Sequence, residues 1–198
     1  LSEWDVDALV APLADVADPD GAVLGLVRLY EQLTPSDRAA LGQVLADDGE
    51  PRRRVVGLIG ASVALTDALV RRPEQWRDVA EASIDDESTL RAAISDEVGT
   101  SVGDEARDLL RVAYRRQLMR IAAVDVSGDS IEQLPVVAQA LAELAGAALQ
   151  TALDIAAREH DDSDKCRLTV IAMGKCGARE LNYISDVDVV YAVDRVPL

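Results

Sequence analysis

The sequence is poor in the residues on which several classes of protein depend. It has one histidine, His160, and two cysteines among 198 residues. A catalytic mechanism that needs a pair or cluster of histidines is therefore not expected. Cys166 and Cys176 match neither a CxxC nor a zinc-binding spacing, and they do not make a disulfide framework. This cysteine usage fits a reducing compartment, and we expect a cytoplasmic protein.

Positive charge is also scarce, with 20 lysines and arginines against 36 acidic residues and a net charge of −16. Because nucleic-acid backbones are bound by clusters of Lys and Arg, we expect no nucleic-acid partner, although a small local basic site stays open. The longest apolar stretch, residues 55–70, is shorter than the about 20 residues of a membrane-spanning helix. The first residues are acidic where a signal peptide is basic. We therefore expect no membrane association.

Most of the chain has helical patterning, and its 49% hydrophobic residues can bury a core. Residues 34–37 have the sequence of a helix start, TPSD. One helix is predicted from about residue 53 to residue 71, and Gly57 and Gly60 inside it suggest close packing by a neighbour. Residues 104–124 carry an apolar stripe at helical spacing. Residues 130–133, SIEQ, resemble a capping box, and the helix after them is predicted to reach Glu159.

The pattern changes after residue 160. Residues 168–173 and 187–193 are short apolar runs with β-branched residues, which predict two strands, the first of them buried. The predicted fold is therefore mostly α, with a helical region over residues 1–160 and the opening strands of an α/β domain over residues 165–198. Since the chain begins with Leu and ends just after a strand-like run, we expect it to be a fragment of a longer protein.

Two carboxylates, Asp186 and Asp188, are predicted to open the second strand. Alternate strand residues project to the same face, so the two carboxylates should lie close together and repel each other. A divalent cation removes this cost, and Mg²⁺ takes one or two carboxylates together with water and phosphate oxygens. Two solvated acids at the end of an edge strand are the alternative, which an isolated DxD sequence favours.

The segment between the two strands contains Gly174 and Gly177, which let backbone N–H groups approach a phosphate closely. Lys175 and Arg179 add positive charge, and residues 178–183 are predicted to form a short helix. A tight turn without a ligand explains this segment equally well when it is taken alone. The segment is neither a P-loop nor a GxGxxG motif.

Taken together, a strand, a glycine turn, a short helix and a strand with DxD resemble the nucleotidyltransferase fold of the β-polymerase type. Residues 173–190, MGKCGARELNYISDVDVV, resemble the GMGKLGGxELNxSSDIDLIF motif of the glutamine synthetase adenylyltransferase family, bifunctional enzymes with an adenylylating and an adenylyl-removing half. Residues 58–74 and 110–125 resemble two helical segments of the same family, LGASxxLxxxLxxxPE and RRRELLRIAxRD. The ELN form and these segments are similar to the N-terminal, adenylyl-removing half. Cys176, Ala178 and Ile184 depart from the family motif, and none of them removes a metal ligand.

The resemblance implies that inorganic phosphate removes AMP from a tyrosine of glutamine synthetase and gives ADP, in the control of nitrogen assimilation. It implies two Mg²⁺ ions, and a PII signal protein is a further candidate partner. The implied metal-binding and catalytic residues are Asp186 and Asp188. The implied phosphate contacts come from Gly174, Gly177 and Ser185, with Lys175 and Arg179 offsetting the phosphate charge. A third carboxylate is expected from a later strand, beyond Leu198.

Two other functions stay open at this point. One is a different nucleotidyltransferase that uses ATP, against which the two helical segments argue. The other is a non-catalytic docking or regulatory fragment, which metal binding without turnover would favour. We expect the isolated chain to have weak or no activity.

Overall fold

The computed structural model describes residues 6–128, 130–161 and 163–195. In these ranges the chain is mostly helical and ends in a two-stranded antiparallel sheet, which confirms the predicted fold class. The first seven helices are α1 (Val6–Ala14), α2 (Pro19–Gln32), α3 (Pro35–Ala46), α4 (Glu50–Ala61), α5 (Val63–Arg71), α6 (Trp76–Ala80) and α7 (Glu87–Val98). They are followed by α8 (Gly103–Ser127), α9 (Ser130–Glu159), β1 (Cys166–Ala172), α10 (Gly174–Gly177) and β2 (Val189–Arg195).

Three of the predicted helix boundaries are confirmed. α3 begins at Pro35 behind Thr34, whose hydroxyl oxygen accepts a hydrogen bond of 3.2 Å from the Asp37 amide. Hydrogen bonds from Thr34 and from Arg77 lower the pKa of Asp37. α9 begins at Ser130 and ends at Glu159, as the apolar spacing predicts.

The single helix predicted over residues 53–71 is wrong, because the structure divides it at Ser62. Ser62 has extended backbone angles, and its amide donates to the Leu58 carbonyl oxygen at 3.2 Å, which ends α4. Its hydroxyl oxygen accepts a hydrogen bond of 3.3 Å from the Leu65 amide, which caps α5. A serine hydroxyl satisfies an otherwise unpaired helix-start amide, so one residue serves both helix ends.

The close packing expected at Gly57 and Gly60 is confirmed. A Cβ placed at Gly57 would lie 2.8 Å from a methyl carbon of Val126, and one at Gly60 would lie 2.7 Å from Cβ of Val16. The Gly60 carbonyl oxygen also accepts a hydrogen bond of 3.1 Å from the Asp18 amide. α4 is therefore in direct backbone contact with the segment that joins α1 to α2.

The described residues divide into two compact units, 6–83 with 119–133 and 84–118 with 134–195. The core of the first unit is built around α4, whose Val55, Val56, Leu58 and Ile59 are buried together with Trp76. In the second unit a smaller cluster joins Val98, Ala106 and Ile155. The predicted domain division into residues 1–160 and 165–198 follows the change from helix to strand and stays a prediction.

The expectation of a buried first strand is wrong. Leu168 and Val170 are half-buried, whereas Ile171 is 46% exposed and its partner Val190 is 49% exposed. In the described part of the chain β1 and β2 pair with each other in a two-stranded sheet. The face with Ile171 and Val190 therefore stays exposed there, although its residues are apolar enough for a core.

The central part of α9 is long and apolar. By length and composition Ile131–Glu159 could cross a membrane, and 44% of its most apolar stretch is buried inside the protein. Because buried core helices have the same length and composition, this feature does not identify a membrane segment.

We expect Gly60→Ala to lower the free energy of unfolding by about 1–2 kcal/mol, because the new methyl group would overlap Val16 in a packed region. Gly146→Ala on α9 is the matched control. A Cβ there meets nothing within 4 Å, so this substitution should raise stability by about 0.5–1 kcal/mol. Urea unfolding followed by circular dichroism measures both changes. Equal effects of the two substitutions would contradict this account of Gly60.

Candidate functional site

The antiparallel ladder brings the glycine segment and the two acidic residues to one end of the sheet. Ala172 pairs with Val189, and the Met173 amide donates to the Asp188 carbonyl oxygen at 2.8 Å. The chain between these positions, residues 174–187, therefore leaves and re-enters the same end of the ladder. This places both parts of the predicted site next to each other.

The acidic pair does not open the strand as predicted. β2 begins at Val189, so Asp186 and Asp188 lie in the segment just before it, and both are exposed. Asp188 is close to the glycine turn, since a Cβ placed at Gly174 would lie 3.4 Å from its Oδ2. Between the two acids, Val187 lines an apolar groove of about 320 Å³ formed with α8 and α9 residues such as Leu110.

The short helix is also displaced from its predicted position. It covers Gly174–Gly177 rather than residues 178–183. The Glu180 amide donates to the Lys175 carbonyl oxygen at 2.8 Å, and the Arg179 amide donates to the Cys176 carbonyl oxygen at 3.1 Å. These two bonds form a Schellman motif, which ends a helix at a residue with left-handed backbone angles. Arg179, with φ of 59°, is that residue, and the chain therefore cannot continue as a helix there.

Steric constraints explain why both residues of the turn, Gly174 and Gly177, are glycine. Gly174 has φ of 53°, which residues with a Cβ rarely adopt. At Gly177 a Cβ would collide with the carbonyl oxygen of Ala172. Ala178, where the family motif has a second glycine, has φ of −78° and needs no special conformation. The predicted phosphate contacts of Gly174 and Gly177 stay a prediction, and the turn geometry alone requires both residues.

The two cations predicted for the turn have different surroundings. Lys175 is exposed on α10. Arg179 extends its guanidinium to two carboxylates, with Nη2 3.5 Å from Glu87 and Nη1 3.5 Å from Glu143. These acids lie 92 and 36 residues before Arg179 in the chain, and no local pattern connects them to it.

Ser185 is organised by Asn182. The Ser185 hydroxyl donates to the Asn182 side-chain oxygen at 2.7 Å, and the Ile184 amide donates to the same oxygen at 3.2 Å. Asn182 thus holds the turn that leads into the acidic pair. A phosphate contact of the Ser185 hydroxyl stays a prediction.

Cys176 is a buried member of the turn, with 6% of its surface exposed, and burial raises the pKa of its thiol. Burial also raises the pKa of Tyr114, and the nearby Cys176 adds to this rise. Leu181 is buried at the other end of the turn. The cysteine that departs from the family motif therefore has a packing role.

The donor set at the acidic pair fits a hard cation. Asp188 provides an exposed carboxylate beside Gly174, and Asp186 provides a second exposed carboxylate two residues earlier in the chain. Mg²⁺ completes its ligands with water and phosphate oxygens. Among the described residues there is no group of three or more His, Cys, Asp or Glu side chains placed to hold a metal ion. Two carboxylates match the one or two that Mg²⁺ takes from a protein, and metal binding by Asp186 and Asp188 stays a prediction.

Comparison with known proteins places the chain in a family. Residues 52–197, which include the glycine turn and both aspartates, match the family described as glutamate-ammonia ligase adenylyltransferase. The chain belongs to this family. This confirms the resemblance seen in residues 173–190 and in the two helical segments.

Curated relatives agree with the family match. The chain is 45% identical over 186 residues to a bifunctional glutamine synthetase adenylyltransferase/adenylyl-removing enzyme of Streptomyces avermitilis, covering 92% of the chain and 18% of the relative. It is 44% identical to the enzyme of the same name from Streptomyces coelicolor, covering 96% of the chain and 19% of the relative. For Mycobacterium avium the identity is 41%, with 96% and 20% covered.

The chain thus spans about a fifth of the length of these relatives. Their names combine an activity that adds the adenylyl group with one that removes it. No solved structure matches the chain. The family is one of nucleotidyltransferase enzymes. Family membership does not distinguish the adenylyl-adding activity from the adenylyl-removing one.

The two cysteines should differ in reactivity. We expect iodoacetamide at pH 7.5 to modify the exposed Cys166 at least about tenfold faster than Cys176, since reaction needs an accessible thiolate and burial raises the pKa of Cys176. Peptide mass spectrometry over time measures both rates. Cys166→Ser and Cys176→Ser variants isolate each thiol, and equal rates in the folded protein would contradict the buried placement.

Proposed function

We propose that this chain is part of the adenylyl-removing half of a bifunctional glutamine synthetase adenylyltransferase. In this proposal, inorganic phosphate removes AMP from a tyrosine of glutamine synthetase and forms ADP. Family membership and the names of the relatives support the enzyme class. The choice of the removing half rests on the ELN form of the motif and on the two helical segments before it.

The placement of Asp188 beside Gly174 carries the proposal. The ladder bond from Met173 to Asp188 fixes the backbone, and the Asp188 carboxylate lies against a glycine at positive φ. A phosphate bound by the turn would therefore lie next to the Asp188 carboxylate, one of the two proposed to bind a cation. Such closeness is needed when a phosphoryl group is transferred with metal assistance.

In the proposed reaction an oxygen of inorganic phosphate attacks the adenylyl phosphorus. The bond from phosphorus to the tyrosine oxygen breaks, and the tyrosine oxygen leaves with its electron pair. Asp186 and Asp188 would hold Mg²⁺, which supplies positive charge to the phosphoryl oxygens when it is bound. Lys175 would offset phosphate charge from the exposed side of the turn. Ser185 and the turn amides would orient the phosphate oxygens.

We also propose a substrate, a regulator and a cellular compartment for the enzyme. Adenylylated glutamine synthetase would be the protein substrate, a PII signal protein would regulate the reaction, and the enzyme would work in the cytoplasm. A third metal-binding carboxylate would come from sequence beyond Leu198. The isolated chain would then have weak or no activity.

The test is phosphate-dependent ADP release from adenylylated glutamine synthetase with Mg²⁺, measured on this chain and on a version extended past Leu198. We expect ADP from the extended version. Asp186→Asn in that version should lower the rate by about 100-fold or more, because even residues that merely orient metal ligands change activity by 10- to 100-fold. Asp194→Asn, an exposed acid on β2, is the matched control and should change the rate less than about twofold.

Other outcomes point to other functions. Transfer of AMP from ATP to unmodified synthetase, without phosphorolysis, would assign the chain to an ATP-using activity. Mg²⁺ binding without turnover in a folded extended version would favour a docking or regulatory role. Full activity of the Asp186→Asn variant would overturn the assignment of the acidic pair.

A further inference from the structure

A nearly buried carboxylate lies on α9, outside the segment that carries the motif. The Glu143 side chain is 10% exposed and lines a cleft of about 530 Å³ between α9, β1 and the glycine turn. Its Oε1 accepts a hydrogen bond of 2.7 Å from the Gln139 side chain, and Arg179 Nη1 lies 3.5 Å from the same oxygen. A buried carboxylate is stable when it is paired with a cation, and Arg179 supplies one here.

Arg179 occupies a backbone position where glycine is the usual residue. It is the residue with left-handed angles in the Schellman motif that ends α10, and a Cβ is unfavourable in that conformation. Its side chain compensates by reaching two carboxylates, Glu143 on α9 and Glu87 at the start of α7. The arginine therefore joins the turn to two helices of the same unit.

We propose that Glu143 is a positioning residue which, acting through Arg179 and together with Glu87, holds the glycine turn in its conformation. In this proposal Arg179 fixes the turn and does not bind the substrate phosphate, contrary to the role expected from the motif. The catalytic consequence rests on the proposed function, whereas the structural consequence does not.

The charges favour this role for Arg179. One guanidinium faces two carboxylates, so its positive charge is already balanced where it lies. Phosphate binding by Arg179 would compete with these contacts, and drawing the guanidinium away would leave the nearly buried Glu143 carboxylate without this cation, which is unfavourable. Lys175 is exposed on α10, and a phosphate can reach it without breaking the two contacts of Arg179.

The first test needs no enzymatic activity, since Cys176 lies in the same turn and reports its opening. In a Cys166→Ser background, Glu143→Gln should raise the rate of iodoacetamide modification of Cys176 about threefold, as loss of a part-exposed ion pair allows. Glu105→Gln, an exposed acid on α8, is the matched control and should leave the rate unchanged. The melting temperature, followed by circular dichroism, separates opening of the turn from global unfolding.

A double-mutant cycle decides whether Glu143 acts through Arg179. Arg179→Gln alone should raise the rate by a similar factor, and adding Glu143→Gln should change it little further. Independent, multiplying effects of the two substitutions would overturn the proposal. So would an unchanged Cys176 rate in both single variants.

The second test uses the extended version with adenylylated glutamine synthetase. Glu143→Gln should lower kcat about threefold and leave the KM for phosphate unchanged, because a misplaced turn affects the reacting geometry. A lower KM for phosphate would show instead that Glu143 competes with phosphate for Arg179, and would overturn the proposal. If the unsubstituted extended version releases no ADP, the proposed function fails, while the cysteine cycle still decides the role of Glu143.

Discussion

The register of the β1–β2 ladder determines where each residue of the candidate site lies. Ala172 opposite Val189, with the Met173 amide bonded to the Asp188 carbonyl oxygen, brings the ends of a fourteen-residue connection, residues 174–187, to one edge of the sheet. A shift of one residue would turn every side chain of one strand to the other face. The carboxylate of Asp188 would then leave Gly174, and the acidic pair would lose its place beside the turn.

The second unit supports this connection from several sides. Cys176 and Leu181 are buried within the turn, and Arg179 contacts acids on α7 and α9. Val187, between the two aspartates, lines an apolar groove with α8 and α9 residues. Val187 keeps 39% of its surface exposed there, so this groove is open to solvent. Helices α7 and α9 therefore contact the connection through Arg179, although they supply none of the residues of the glycine turn or the acidic pair.

Much of the fold follows from local patterns that act over a few residues. The apolar stripes of α8 and α9, the cap at Thr34 and the β-branched runs predict elements that the structure contains. The predictions that failed depend on competition between such patterns. A serine can lie inside a helix or cap one. Ser62 has extended backbone angles and caps α5. The helix expected after Gly177 ends at Arg179, which has left-handed backbone angles. Arginine has no preference for this conformation, so the sequence does not indicate it.

Burial of the strands depends on packing rather than on composition. The apolar runs in β1 and β2 are typical of a covered sheet, yet Ile171 and Val190 are exposed in the described part of the chain. Apolar side chains favour burial, but they become buried where another layer of the protein covers them. The positions of the strands can therefore be predicted from the sequence, whereas the burial of their side chains cannot.

The sequence by itself determined the helical class, the two strands, the family, and the residues of the glycine turn and acidic pair. Each of these features depends on residues that are neighbours in one short segment of the chain. Tertiary structure decided which acids face Arg179, which helices form a groove with Val187 and why Gly60 has no room for a Cβ. Those contacts join residues far apart in the chain. Their energies arise from packing and charge placement in the folded state, which no local segment specifies.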